Sequence, residues 1–441
     1  MVHVRRLAFV MGLSCVCSAA TGPLRLLEGE RAAFAQASEL DPLRDAARAS
    51  PRDPAAALAL GRALRRAGQY APALTELRRG IALAFANPPV LARLHWEIAR
   101  VHMDRHDFGQ AMTACRVLQK LPGDAAEGHA CAADAHLVWQ RATEALSEAA
   151  MALAEDPRCY DAKVADGRAE EFALDPVKAE AAYRAALALR PDGVGAHLAL
   201  GRLLARNGRK DEGVTELRRA VQLDPDGPDA LFELATALGP GPESVGLLEH
   251  ATRERPSFAQ AWLSLGRQQL AAGRLAEAKH CAEQAVREDP GDVEPHVLLG
   301  QVALAEGRAD DAIRAGEDAL KLVANTAPAK LLVADGNAKK GEIDLALEAY
   351  QSAWGLDHSD PTPLVHAAEA CHAAGRDTSA SAFGLKATQE FPNWAPGWAA
   401  YGDALAAQGE KQAARDAYRK ALAAAGPVDK AAVQGKLSAL Q

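Results

Sequence analysis

Small residues recur every 34 positions along most of this 441-residue chain. One column reads Gly61, Ala99, Ala133, Gly167, Gly201, Ala235, Gly266, Gly300, Ala334, Ala368 and Gly402. Two further columns, from Ala73 to Ala414 and from Ala152 to Ala421, keep the same phase. A single alanine reports only helix propensity. Three columns in phase report stacked supersecondary units rather than one globular core. The repeat occupies so much of the chain that little remains for a separate catalytic domain.

Residues 194–227 form a clean specimen. His197, Leu200, Gly201 and Leu204 fall on one helical face. Asn207-Gly208 ends that face, because glycine supplies the left-handed conformation that closes a helix. Val214, Leu217, Ala220 and Val221 make a second stripe, which Asp224-Pro225 stops. Each repeat is therefore predicted to be a helix, a short turn, a second helix, and a Pro- or Gly-bearing turn. Hydrophobic residues are 49% of the chain but aromatics only 5%. That suits closely approaching helices better than a sandwich or barrel. The net charge of −8 argues against a general nucleic-acid binder, which needs Lys and Arg for phosphate contacts.

The motif residues add a resemblance. Trp262-x2-Leu265-Gly266 and Trp398-x2-Tyr401-Gly402 start two repeats, and Ala179-x3-Tyr183, Ala346-x3-Tyr350 and Ala414-x3-Tyr418 occupy the middle of three. This pattern resembles the tetratricopeptide repeat. The resemblance covers about eleven repeats over 54–428. It implies an all-α, right-handed superhelical solenoid of helix-turn-helix repeats that binds protein or peptide partners in a concave groove. Residues 21–53 and 429–441 are expected to be helical end caps, which solenoids need for solubility. Two departures break the period. Four residues are inserted around Pro88 and Pro89, and the sixth repeat loses three at Gly239-Pro-Gly-Pro242. The shortened turn predicts either a change in stacking or a neutral loop deletion.

If the small residue Gly61 is position 8 of its repeat, the next position lies on the stripe that lines the groove in the resembled family. Position 9 reads Arg62, Arg100, Asp134, Arg168, Arg202, Thr236, Arg267, Gln301, Asp335, Glu369 and Asp403. The candidate partner-binding residues are Arg62, Arg100, Arg168, Arg202, Arg267, Asp335, Glu369 and Asp403. The stripe is thus expected to be basic toward the N-terminus and acidic toward the C-terminus. Arginine forks suit carboxylates or phosphates, so the alternative reading is a binder of acidic polymers such as envelope polysaccharide. A third possibility is that these charges form repeat-to-repeat ion pairs of little energetic worth.

Other constellations are weaker. His102-x3-His106 has metal-binding spacing, but His106 falls where a turn is expected, and no third ligand is patterned nearby. His197 and His296, at position 4, are expected to pack, as are Phe391, Trp394, Trp398 and Tyr401. Pro242-Glu-Ser-Val-Gly246 lacks the leading glycine of a nucleophile elbow. No enzyme activity, cofactor or metal is expected.

Arg5 and Arg6, the apolar run Leu7–Leu13 and the small residues Ser18, Ala19 and Ala20 follow the order of a secretory signal. Residues 1–20 are therefore expected to be a cleaved signal peptide, which places the chain in the periplasm or cell envelope, the cytoplasm being the alternative. No other stretch is long and apolar enough to cross a membrane. Beyond the signal, Cys115, Cys131, Cys159, Cys281 and Cys371 are expected to be free buried thiols. A disulfide between Cys115 and Cys131 is the alternative.

Overall fold

The computed structural model describes residues 40–84 and 87–440. The expected signal and most of the expected N-terminal cap lie outside the described residues. Helix α1 is described over 40–49. The first helices of the eleven repeats are α2 (Pro54–Arg66), α4 (Pro88–Asp104), α6 (Ala125–Val138), α8 (Tyr160–Phe172), α10 (Val194–Arg206), α12 (Pro228–Leu238), α14 (Ala259–Ala271), α16 (Val293–Ala305), α18 (Ala327–Lys340), α20 (Thr362–Ala373) and α22 (Ala395–Ala407). The second helices are α3 (Tyr70–Leu83), α5 (Phe108–Lys120), α7 (Ala142–Glu155), α9 (Pro176–Leu189), α11 (Lys210–Leu223), α13 (Pro242–Glu254), α15 (Leu275–Glu288), α17 (Ala309–Leu322), α19 (Ile343–Leu356), α21 (Asp377–Glu390) and α23 (Lys411–Ala423). Helix α24 (Lys430–Ala439) follows them.

The chain divides into two compact bodies, one ending at Asp124 and one beginning at Ala125. The first holds repeats 1 and 2, the second repeats 3 to 11. Within each body, the two helices of a repeat pack as a hairpin, and the second helix packs on the first helix of the next repeat. Neighbouring first helices also touch, as α2 does α4, α8 does α10 and α20 does α22. Neighbouring second helices make no comparable contact among the described residues.

The small columns explain why the hairpins close so tightly. A Cβ on Gly167 would lie 2.4 Å from Tyr183 Cε1, and one on Gly402 would lie 2.6 Å from Tyr418 Cε1. In these two repeats the missing side chain at position 8 is the space that the tyrosine ring of the second helix fills; at Gly61 and Gly201 a leucine of the second helix takes it. Ala73, Ala145, Ala179 and Ala278 in the second small column have no exposed surface. The turn between the two helices passes through a left-handed residue, Gly208 in the specimen repeat with φ +83°. His106, Gln140 and Leu174 hold that place in repeats 2 to 4, with φ of 55°, 56° and 63°. Aspartates cap several helix starts: Asp53, Asp107, Asp175 and Asp429 each accept a backbone N–H of the first turn.

The insertion is absorbed by a first helix, and the deletion by both helices of its repeat. The insertion lengthens α4 to 17 residues, against 13 for α2, so Pro88 and Pro89 begin an added helical turn. The deletion shortens α12 to 11 residues. The tight turn that follows is braced from the next repeat: Gln268 Nε2 donates to Ser244 Oγ at 2.9 Å, and Gly241 N donates to Gln268 Oε1 at 3.3 Å. Ser244 replaces the usual Ala or Gly of its column, and its hydroxyl donates to the Ala235 carbonyl at 3.0 Å. At the C-terminal end, Val433 and Leu437 of α24 cover Leu405, Tyr418 and Ala421.

The cysteine expectation needs a correction. Cys159, Cys281 and Cys371 are free and buried, but Cys115 and Cys131 are each disulfide-bonded. A buried cysteine fills a helical core equally well as a thiol or a half-cystine, so packing logic does not separate the two. Among the described residues, no helix is long and apolar enough to cross a membrane.

Candidate functional site

Position 9 lies on the face where first helices meet, so its residues reach from one repeat to the next. In the first body, Arg62 Nε donates to Glu97 Oε1 at 2.9 Å and Arg65 Nε to Glu97 Oε2 at 3.0 Å. Arg65 Nη1 also reaches Asp104 Oδ2 at 2.8 Å, and Arg100 lies 3.8 Å from Glu97. Glu97 is 2% exposed. Burial alone would push its carboxyl pKa up; Arg100, Arg65 and Arg62 more than offset that and hold it at about 2.

In the second body, Arg168 Nη1 donates to Asp134 Oδ2 at 2.7 Å, a direct contact between position 9 of adjacent repeats. The Asp134 charge holds the Arg168 guanidinium above its ordinary pKa, against the opposing effect of burial. Arg202 Nη2 donates to Glu171 Oε2 at 3.2 Å, and the Tyr183 hydroxyl donates to the same oxygen at 2.9 Å. Arg267 pairs with Glu294. Thr236 turns its hydroxyl back to the Phe232 carbonyl at 2.9 Å, and Gln301 is exposed.

At the acidic end, Asp335 Oδ1 accepts the Tyr350 hydroxyl at 2.7 Å and lies 2.8 Å from His366 Nδ1. Asp403 accepts the Tyr418 hydroxyl at 2.7 Å and Lys436 Nζ at 2.8 Å. Glu369 stands between them, exposed, and has no hydrogen bond or ion pair among the described residues. It sits low enough among its neighbours that burial raises its carboxyl pKa. His366 and Lys436 oppose the rise, while Asp403 and Asp335 add to it.

Within each body the structure therefore places the candidate residues on the first-helix side, Arg62 and Arg100 in the first and the other six in the second, but matches most of their charges internally. Only Glu369 is left open. Sequence reasoning missed the partners. Glu97 and His366 both occupy position 6, a column almost wholly of Ala, Cys, Ser and Leu elsewhere in the chain. Charged residues in a small or apolar column were the available signal. In the sequence the tyrosines stand out only as motif residues, yet the Tyr183, Tyr350 and Tyr418 hydroxyls hold Glu171, Asp335 and Asp403.

The other singled-out residues are structural. His102 is buried at the end of α4, and burial lowers its pKa; His106 forms the left-handed turn. His197 does more than pack: Nε2 lies 2.9 Å from the Pro191 carbonyl and Nδ1 lies 2.6 Å from Glu216 Oε2. Trp262 and Trp398 occupy the same position and donate to the Pro256 and Pro392 carbonyls, each at 2.8 Å. Position 4 thus ties each of these repeats to the proline that closes the previous one. Phe391 and Trp394 pack with Trp354 and Leu364, and Trp398 and Tyr401 pack with the C-terminal cluster.

Helical hairpins stacked in series, with polar residues on the first-helix side, define a helical-repeat interaction scaffold. Sequence models of the tetratricopeptide repeat match residues 58–126, 164–228, 264–327 and 395–426, together more than half of the chain. The chain belongs to the tetratricopeptide repeat family. It is 38% identical over 82 residues to tetratricopeptide repeat protein 33 of Xenopus laevis, a match covering 18% of this chain and 31% of that protein. The chain thus spans under a third of that relative. Among solved structures it resembles yeast Tom70, with a TM-score of 0.45, 13% identity and coverage of 88% of this chain and 95% of that one. It also resembles the APC/C hetero-tetramer Cut9-Hcn1, with a TM-score of 0.41, 16% identity and coverage of 92% of each chain.

Proposed function

We propose that the protein holds an extended or helical segment of a partner protein along the face formed by its first helices. One observation carries this reading. Within each body first helices of neighbouring repeats make contacts that second helices do not match, which supports a binding surface on the first-helix side, where one segment can meet several repeats at once. The charges set the partner's character. The arginines Arg62, Arg168, Arg202 and Arg267 each already have a carboxylate partner, which leaves the acidic-polymer reading with less support. At the acidic end, Glu369 is the open charge, and it favours a partner segment carrying a Lys or Arg.

The test begins with capture of the native partner by the full chain. Glu369→Lys is then expected to weaken binding about tenfold, equivalent to ~1.4 kcal/mol, with the circular dichroism spectrum unchanged. Arg168→Glu with Arg202→Glu should weaken it as well. Unchanged affinity in both variants would reject the first-helix face as the binding surface.

A further inference from the structure

We propose that Asp226, His250 and Glu254 form a binding site for one zinc-class divalent ion, at the junction of the fifth and sixth repeats. His250 and Glu254 are four residues apart near the C-terminal end of α13, so their side chains lie on the same face. Asp226 comes from the turn between α11 and α12. His250 Nε2 lies 3.3 Å from Asp226 Oδ1 and 3.5 Å from Glu254 Oε1, and the three donor atoms all lie within 4.8 Å of one another.

Those separations are the argument. Donors about 2.0–2.1 Å from a zinc ion at the tetrahedral angle are about 3.3 Å apart. Two of the three edges are at or near that length. The third closes by rotation of Asp226, whose side chain is 66% exposed. The donor set is also selective. One imidazole with two carboxylates suits zinc, whereas magnesium and calcium take oxygen donors. Three protein ligands leave a fourth position for water. The site lies at the C-terminal end of α13, where unpaired carbonyls favour a cation.

The location gives the ion a use. It would join the closing turn of repeat 5 to the second helix of repeat 6, the repeat whose first helix is cut short. An ion bound only by the folded chain stabilises it by mass action.

The experiment uses the untagged full chain, titrated with Co2+ and then Zn2+, beside His250→Ala, Glu254→Gln and the surface variant Asp226→Asn. The wild type is expected to give the intense visible absorption of tetrahedral Co2+, to lose it on adding Zn2+, and to keep it with excess Mg2+. Each variant should bind Zn2+ at least ~10-fold more weakly, and Zn2+ should raise the thermal midpoint of the wild type alone. Zn2+ affinity in His250→Ala and Asp226→Asn equal to wild type would overturn the proposal. So would a weak, octahedral Co2+ spectrum in the wild type.

Discussion

Glu97 shows what one charged residue does when it enters a column of small ones. It is a buried carboxylate bonded by Arg62 and Arg65 of the preceding repeat. Leaving either partner alone would strand a charge away from water. Its folded pKa of about 2 lies below the ordinary 4.5, so its contribution is present above pH ~4.5 and is lost as pH falls toward 2. The shift corresponds to roughly 3 kcal/mol. Glu97→Gln should therefore lower stability at neutral pH by about that amount, and the gap from wild type should close between pH 4.5 and 2. Urea unfolding across that range checks it; a gap constant with pH would count against the linkage. Glu97 was visible in the sequence as a letter but not as a partner. Its partners lie 32 and 35 residues earlier, and only the stacking of α2 on α4 joins them.

At the scale of single elements, the periodic pattern carried most of the information. The specimen repeat gave α10 and α11, and the glycine at its turn has the positive φ that the pattern asked for. Repeats 2 to 4 show the limit. His106, Gln140 and Leu174 take the same left-handed conformation without being glycine, because helix packing on either side dictates the turn. Leu174 is 87% exposed, so it gains nothing from packing to offset its backbone strain. Leu174→Gly is expected to stabilise the protein by about 0.5–1 kcal/mol, the relief of the left-handed strain less the added flexibility of glycine. A fall in the thermal midpoint would show that the strain is not there. The lengths of α4 and α12 were not legible either. An insertion or deletion moves the period by a countable number of residues, but only packing decides whether helix or loop absorbs it.

The whole molecule is a scaffold whose polar face is already largely satisfied. Its charge polarity was readable along position 9, but pairing across repeats leaves much less of it open than the sequence suggests. Residues 1–20 bear on where the scaffold works. We propose, from their charged, apolar and small-residue order, that they direct export to an oxidising compartment, which the disulfide-bonded Cys115 and Cys131 would suit. N-terminal sequencing of the native protein should find a start after Ala20; an intact Met1 would reject cleavage. Sequence by itself determined the fold class, the register and the position of nearly every hairpin, because a 34-residue period with small residues in phase can be satisfied only by stacking like on like. Tertiary structure alone decided which charges remain available. Residues a full repeat apart become neighbours only when first helices lie side by side, and whether Arg168 faces Asp134 or solvent is settled by that approach.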